Sequence, residues 1–449
     1  MNKKRFFIFI SFIILIVLLL LFYQRPFILF LAYFLVIFYT IWGIYHIIMI
    51  YFGSKKPFNP KLDLNYLPKI SVIIPARNEQ ILSRTIDVVI NHVYYPLDKK
   101  EVVVVTEDEV SERIAFWLQQ KYPGVILVRR KRYFLTKPSA LNDVFHITTG
   151  DIIGIVDVED ILDRDIFFKV ASAIMQHGYD YVQTILRIGN YEDSWITRVF
   201  AMEYAGWFRI FLNGRSHLKL FTPLGGTGNY FRRPIIKEVG GWDSINLTED
   251  AELTVRFNIA KAKFTVIDAR QWEEAPVTFK AWLRQRSRWF RGWLQTLWKY
   301  LPVFFRPRTA KRIGYLNLLS MILMLIAPFA VMLNWVAYTL TIIWILEFYK
   351  IIPTSILSNT FPFFAIAPLI FNVIYYFAWL YGAAIEGIGK KNYKYIPFMI
   401  VYMNVLMPLA ALRALYQEIT KPIMWEKTEH PGRGVKGFVS EKVTSSPAK

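Results

Sequence analysis

The stretch Ile70-Ser71-Val72-Ile73-Ile74-Pro75-Ala76-Arg77-Asn78-Glu79 decides the fold: it is apolar at almost every position as far as Pro75, then changes abruptly to polar residues. Three more runs repeat the pattern, Val102 to Val105 (VVVV), Val125 to Val128 (VILV) and Ile152 to Val156 (IIGIV). A strand with no polar face is one covered on both sides, the condition of a parallel sheet packed between helices. Residues 68–275 therefore read as an α/β domain, Rossmann-like, with a mostly parallel sheet. In such a sheet ligands gather beyond the carboxyl ends of the strands, so the residues that follow each run carry the chemistry. These are Ala76 to Glu79, Thr106-Glu107-Asp108-Glu109 and Asp157-Val158-Glu159-Asp160, with Thr136-Lys137-Pro138-Ser139-Ala140-Leu141-Asn142 between the last two strands.

Outward from this domain the chain changes character. Of its 449 residues 54% are hydrophobic and only 20% charged, and the charges are lopsided: Lys+Arg 54 against Asp+Glu 34, a net +20. With long uncharged runs in the same chain, that surplus fits loops held on the cytoplasmic side of a bilayer better than a nucleic-acid surface. Phe6 to Tyr23 and Phe27 to Phe52, separated by Gln24-Arg25-Pro26, predict a transmembrane hairpin over 1–52, with a linker at 53–67. No small-residue cleavage site follows the first run, which favours a retained anchor. Lys3, Lys4 and Arg5 before the hairpin and Lys55, Lys56 and Lys61 after it place the α/β insert in the cytoplasm, on a protein of the plasma membrane. Residues 276–312 predict interfacial amphipathic helices. About four further spans follow over 313–417: Tyr315 to Tyr349 divided near Asn334, then Phe363 to Leu380, then Ile396 to Leu415, six in all. Lys390, Lys391 and Lys394 fall on the outer side in this count, unless the Ile396 segment lies along the interface. The polar tail, 418–449, returns to the cytoplasm. The absence of Cys excludes disulfides, thiolate metal sites and a thiol nucleophile.

Acids at two strand ends, with a Lys and an Arg nearby, suit a diphosphate neutralised by a divalent cation. No G-x-G-x-x-G follows the first strand and no P-loop is present, which disfavours dinucleotide oxidoreductases and P-loop NTPases. Gly225-Gly226-Thr227-Gly228 reads equally as a tight turn. Asp163-Arg164-Asp165, a literal D-x-D, lies beyond a strand end in what reads as the first turn of a helix, and is structural. Thr248 predicts the N-cap of a helix whose first turn holds Glu249, Asp250 and Glu252; these either complement the helix dipole or include a general base. In Phe279 to Tyr300, Gln285, Arg288 and Trp289 share one helical face, which meets either the membrane interface or a substrate.

In order, SVIIPARNE (71–79), TKPSALN (136–142), DVED (157–160), LGGTGNYFRR (224–233), TED (248–250) and QRSRW (285–289) resemble the family 2 glycosyltransferases of GT-A fold, most closely the membrane-integrated branch that includes cellulose synthase-like β-glycan synthases. The resemblance implies an inverting, metal-dependent hexosyltransferase using a nucleotide sugar, by expectation a uridine diphosphate sugar, and Mg2+ or Mn2+. It implies that Pro75, Ala76, Arg77, Glu79, Glu107 and Lys137 line the nucleoside diphosphate pocket, with Asp157 and Glu159 at the family's D-x-D on the metal. The second position is Glu rather than Asp, which leaves Glu159 and Asp160 as rival ligands. Asp250, beside Glu249, is implied as the base, and Gln285, Arg288 and Trp289 as the residues that hold acceptor and leaving group. Lys427 and Thr428 resemble a donor-capping segment. The first expectation is a processive synthase whose acceptor is a growing β-glycan carried outward through the spans; the alternative is a non-processive transferase that forms a glycolipid or polyprenyl-phosphate sugar. A channel or transporter with a regulatory nucleotide-binding domain is the alternative class, for which His46 and Arg413 are the ionisable residues within spans.

Overall fold

The computed structural model describes residues 24–422 apart from 62–66, 123, 130–135, 355, 359 and 361. The expected first span, Phe6 to Tyr23, and Lys427 and Thr428 lie outside the described residues. The α/β domain carries one eight-stranded sheet: β1 (Ile70–Ala76), β2 (Lys100–Thr106), β3 (Val125–Arg129), β4 (Ile152–Ile155), β5 (Ile161–Leu162), β6 (Tyr181–Ile188), β7 (Asn229–Arg232) and β8 (Phe264–Glu273). Their order is β3-β2-β1-β4-β7-β6-β8-β5. The four strands expected from apolar runs are mutually parallel, while β7 runs antiparallel to both β4 and β6. Alternate residues enter different cores: Val72, Ile74, Val102 and Val104 on one face, Ile73, Val103 and Val105 on the other. That two-sided burial is why these strands lack polar residues. The core is the curled mixed α/β sheet of the GT-A fold.

Beneath the sheet the chain builds a platform. Helix Trp195–Tyr204 opens with a capping box made by Ser194 and Thr197 and continues through Ala205–Leu212 and Asn213–His217. It lies against two apolar helices, Gln24–Gly53 and Phe363–Ile385. Small residues make this approach possible, as between helices in a bilayer. A Cβ on Gly382 would stand 2.5 Å from the Ala205 carbonyl oxygen, and one on Gly214 would stand 2.2 Å from that of Met49. Gly214→Leu is therefore expected to destabilise the protein by about 3 kcal/mol or more, since backbone cannot relax as a side chain does. Thermal unfolding in detergent measures it; an unchanged midpoint would mean this contact does not hold the platform.

Among the described residues four helices are long and apolar enough to cross a membrane: Gln24–Gly53, Ala327–Phe348, Phe363–Ile385 and Lys390–Thr420. Three details differ from expectation. Gln24, Arg25 and Pro26 are helical rather than a turn. Tyr315 to Tyr349 breaks at Ile326, not near Asn334, because Pro328 lies at the start of the second helix, where its missing N–H costs nothing. The 11 residues of Tyr315–Leu325 reach only about 16 Å, short of a bilayer's apolar core. Asn334 instead sits inside a helix, accepting a 2.7 Å hydrogen bond from Tyr39 of the facing helix.

The lysine-bearing turn lies on the side of the α/β domain. Glu386, just past Phe363–Ile385, is buried against Arg187, Arg209 and Arg270 of that domain and platform, at 3.8, 3.7 and 3.2 Å. Six residues on, Asn392 accepts a 2.6 Å hydrogen bond from Arg198. The far end of Lys390–Thr420 returns to the same side, where Glu418 pairs with Arg291 at 3.1 Å. The two ends of this helix thus contact Arg198 of the platform and Arg291. His46 is satisfied locally, by the Trp42 carbonyl at 2.7 Å and the Tyr375 hydroxyl at 3.0 Å.

Candidate active site

The residues after β1, β2 and β4 meet in one cavity of about 320 Å³, walled by Pro75, Ala76, Arg77, Glu79, Glu107, Lys137, Asp157 and Glu159 and, from the second half of the domain, by Glu249, Asp250, Gln285, Arg288 and Trp289. Every expected site residue within the described chain is therefore brought together. The strand ends are stitched by Asp108, which caps the helix Glu109–Lys121 through the Ser111 N–H and accepts the Asn78 N–H at 2.6 Å. Asn78 stands at φ 56°, a left-handed turn that Asn tolerates.

Lys137 enters at the start of helix Lys137–Phe145, capped by Thr136 with Pro138 in its first turn. Its ammonium donates to the Asp157 carboxylate and, at 2.7 Å, to the Gly226 carbonyl. Burial opposes its charge, yet Asp157 and Glu249 hold its pKa above the usual lysine range. Glu159 and Asp160 differ in burial. Asp160 has no exposure and accepts from the Asp157 N–H, the Thr227 hydroxyl and the Gln271 amide at 2.7, 2.5 and 2.7 Å, so it locks the loop. Glu159 is the one that faces the cavity. Asp163 and Asp165 precede the helix Ile166–Ala171 instead of lying in its first turn, Asp163 accepting the Arg270 N–H and Asp165 pairing with Lys169.

Glu249 and Asp250 open the helix Glu249–Ala260. Thr248 occupies the N-cap position but makes no capping bond; it packs instead where a Cβ on Gly292 would come within 2.3 Å of its hydroxyl. That contact, with Gln295 accepting the Leu247 N–H at 3.1 Å, seats helix Phe279–Phe304 beside the acids. Glu252, the third first-turn acid, is buried in ion pairs with Arg256 and Lys299 at 2.7 and 2.6 Å, which leaves it no catalytic part. Burial pushes the Asp250 and Glu249 carboxyls above the ordinary range; mutual repulsion adds to the rise in Glu249, and Lys137 and Arg288 pull both back. Arg288 feels Glu249, Asp250 and Asp157 together, so the five charges share one field. Gly226 lies between them: a Cβ there would be 3.8 Å from Asp250 Oδ2 and 3.9 Å from Lys137 Nζ. Gln285 is 7% exposed and its Oε1, in the cavity wall, has no hydrogen-bond partner among the described residues.

Among the described residues no three His, Asp or Glu side chains form a metal site by themselves. Asp157 and Glu159 nevertheless offer hard oxygen donors at one strand end, the set that suits Mg2+ or Mn2+ completed by phosphate and water. Eight carboxylates against four cations line the cavity, so an anionic diphosphate needs added positive charge to enter. The residues fit a divalent cation.

Sequence reasoning missed the other half of the cavity. Past Trp289 its wall is made by Trp42, Ala330, Phe371, Trp379, Met403 and Met407, from all four apolar helices, with no charge among them. These residues are far apart in the chain and read individually as span interior.

A family model described as "Glycosyltransferase like family 2" matches residues 68–292. The "Probable glycosyltransferase YdaM" of Bacillus subtilis is 33% identical over 258 residues, 54% of this chain and 60% of that protein. A "Beta-monoglucosyldiacylglycerol synthase" of Nostoc is 25% identical over 298 residues, 65% of this chain and 62% of that protein. The chain thus spans about three fifths of these relatives. The mannosyltransferase PcManGT of Pyrobaculum calidifontis, solved with GDP-Man and Mn2+, superposes with a TM-score of 0.54 at 18% identity, over 86% of this chain and 99% of that one; at that identity the likeness shows the fold. The matched stretch runs from the first strand through the helix bearing Gln285, Arg288 and Trp289, and on that ground the chain belongs to the family 2 glycosyltransferases.

Proposed function

We propose that the chain transfers a sugar, with inversion, from a nucleoside diphosphate donor to a hydroxyl of a lipid acceptor that reaches the site from the bilayer. One observation carries the reading: a single cavity has acids at strand ends on one side and uncharged span residues on the other. The polar half suits the donor. Glu79 and Glu107 are set to accept from nucleoside hydroxyls and base N–H groups, with Pro75, Ala76 and Arg77 as the wall. Asp157 and Glu159 would hold Mg2+ or Mn2+, which when bound screens the charge of the diphosphate. Asp250 takes the proton of the acceptor hydroxyl as it attacks the anomeric carbon opposite the leaving group, so an α-linked donor gives a β-linked product. Lys137 and Arg288 stabilise the negative charge that develops on the departing diphosphate. Gln285 accepts from an acceptor hydroxyl, and Trp289 offers a flat face to a sugar or headgroup.

The apolar half suits a hydrocarbon chain, since a glycan there would leave its hydroxyls without partners. The named activity of the Nostoc relative supports this choice. A growing β-glycan is the second reading, favoured by Trp207, Trp289 and Trp293 in the cavity wall. The products decide between them. With wild-type protein and lipid vesicles, one discrete sugar per acceptor is expected, and a ladder of lengths would favour the glycan. Lys55 and Lys56, with Lys390, Lys391 and Lys394, support a cytoplasmic α/β domain at the plasma membrane.

A further inference from the structure

A buried polar network joins the helix of Gln285, Arg288 and Trp289 to the membrane-side platform, and the chemistry above does not use it. Glu203, near the end of Trp195–Tyr204, accepts from both terminal nitrogens of Arg286 at 2.8 and 2.7 Å and from the Tyr402 hydroxyl at 2.6 Å. The same hydroxyl oxygen accepts from Trp282 Nε1 at 2.8 Å and from Arg286 at 3.1 Å. Trp282 and Tyr402 have no exposure, and Arg286 and Glu203 have 6 and 9%. The guanidinium lies 4.7 Å from the centre of the Trp289 ring and 5.2 Å from that of Phe200, the two rings themselves 6.1 Å apart. Glu203 and Arg286 stand in the cavity wall between its polar and apolar halves.

A two-toothed carboxylate–guanidinium pair fixes the plane of the guanidinium as well as its place, and a single point charge would not. The Trp289 ring, over which the guanidinium lies, is held with it. We infer that Glu203 is a positioning residue for the acceptor: through Arg286 it holds Trp289 in place, and Tyr402 ties that seat to the helix Lys390–Thr420. The inference rests on the proposed function, with Trp289 on the acceptor side of the cavity. The hydrogen bonds of the network join Glu203, Arg286, Tyr402 and Trp282, none of them assigned above to the donor, which separates the two kinds of defect.

The test compares two rates for the purified full chain in nanodiscs, after choosing from a nucleotide-sugar panel the donor that wild-type protein consumes: release of nucleoside diphosphate into water without acceptor, and transfer to dioleoylglycerol in phosphatidylcholine. Glu203→Gln, which keeps shape but loses the ion pair, is expected to raise the KM for dioleoylglycerol about tenfold while donor hydrolysis and donor KM hold. Arg286→Lys, which keeps charge but loses the fork, behaves alike, and Tyr402→Phe, which removes one hydroxyl, shifts the same KM by less. Equal loss of hydrolysis and transfer, or no change in any of the three variants, overturns the inference. If the unaltered chain neither hydrolyses any donor nor transfers any sugar, the proposed function fails, and this inference with it.

Discussion

Asp250→Asn is expected to reduce sugar transfer by roughly 10²–10⁴-fold, the worth of a positioned general base, while nucleotide binding stays nearly intact. The amide keeps the size of the carboxylate and can still accept the Ala251 N–H, at 2.7 Å in the wild type, so the helix start is preserved. What it loses is the capacity to take a proton. The donor-side residues Glu79, Glu107 and Asp157 belong to other strand ends and do not depend on it. A pH signature accompanies the effect. Burial raises the carboxyls of Asp250 and Glu249, and a base must be unprotonated to act, so wild-type activity falls as pH drops through a range above the usual carboxylate value of about 4. The variant's residual rate should lack that limb. Turnover like wild type in Asp250→Asn would remove the assignment.

Asp157→Asn, and separately chelation by EDTA, should each lower transfer by about 10²-fold or more, with nucleoside diphosphate binding weakened in both. The direction follows from charge. The cavity walls are already acidic in excess, so a diphosphate is repelled unless a cation accompanies it. In Asp157→Asn the amide oxygen can still accept from Lys137 but the opposing charge is gone, and the protein should still fold because Asp160, not Asp157, locks the loop. Restoration by Mg2+ or Mn2+ after EDTA completes the expectation; activity undiminished by EDTA would mean that Asp157 and Glu159 are structural.

The parts of the fold legible in the sequence are those where burial is local and one-dimensional. β1 to β4 announce themselves because both faces are covered, and the polar residues after them mark the ligand edge without knowledge of anything distant. β7, with only Asn229 to Arg232, has neither length nor apolar continuity, and its antiparallel place between β4 and β6 is set by partners remote in the chain. Asn334 misled because a polar residue in an apolar run resembles a break, whereas it is hydrogen-bonded to Tyr39, 295 positions away. The true break was written at Pro328. The strand-end half of the site was legible for the same reason as the strands. The membrane half was not: Trp42, Phe371 and Met407 are unremarkable until three helices bring them to one wall, and the pairing of Glu203 with Arg286 spans 83 positions.

In the proposed reaction a hydroxyl that Asp250 deprotonates displaces the nucleoside diphosphate at the anomeric carbon, while Asp157 and Lys137 attend the diphosphate opposite. Proton NMR of the first product formed from an α-linked nucleotide sugar, recorded before any spontaneous anomerisation, tests it most directly. A β-linked sugar throughout is expected; an α-linked product would overturn the proposed displacement, because retention requires a covalent intermediate or a same-face attack.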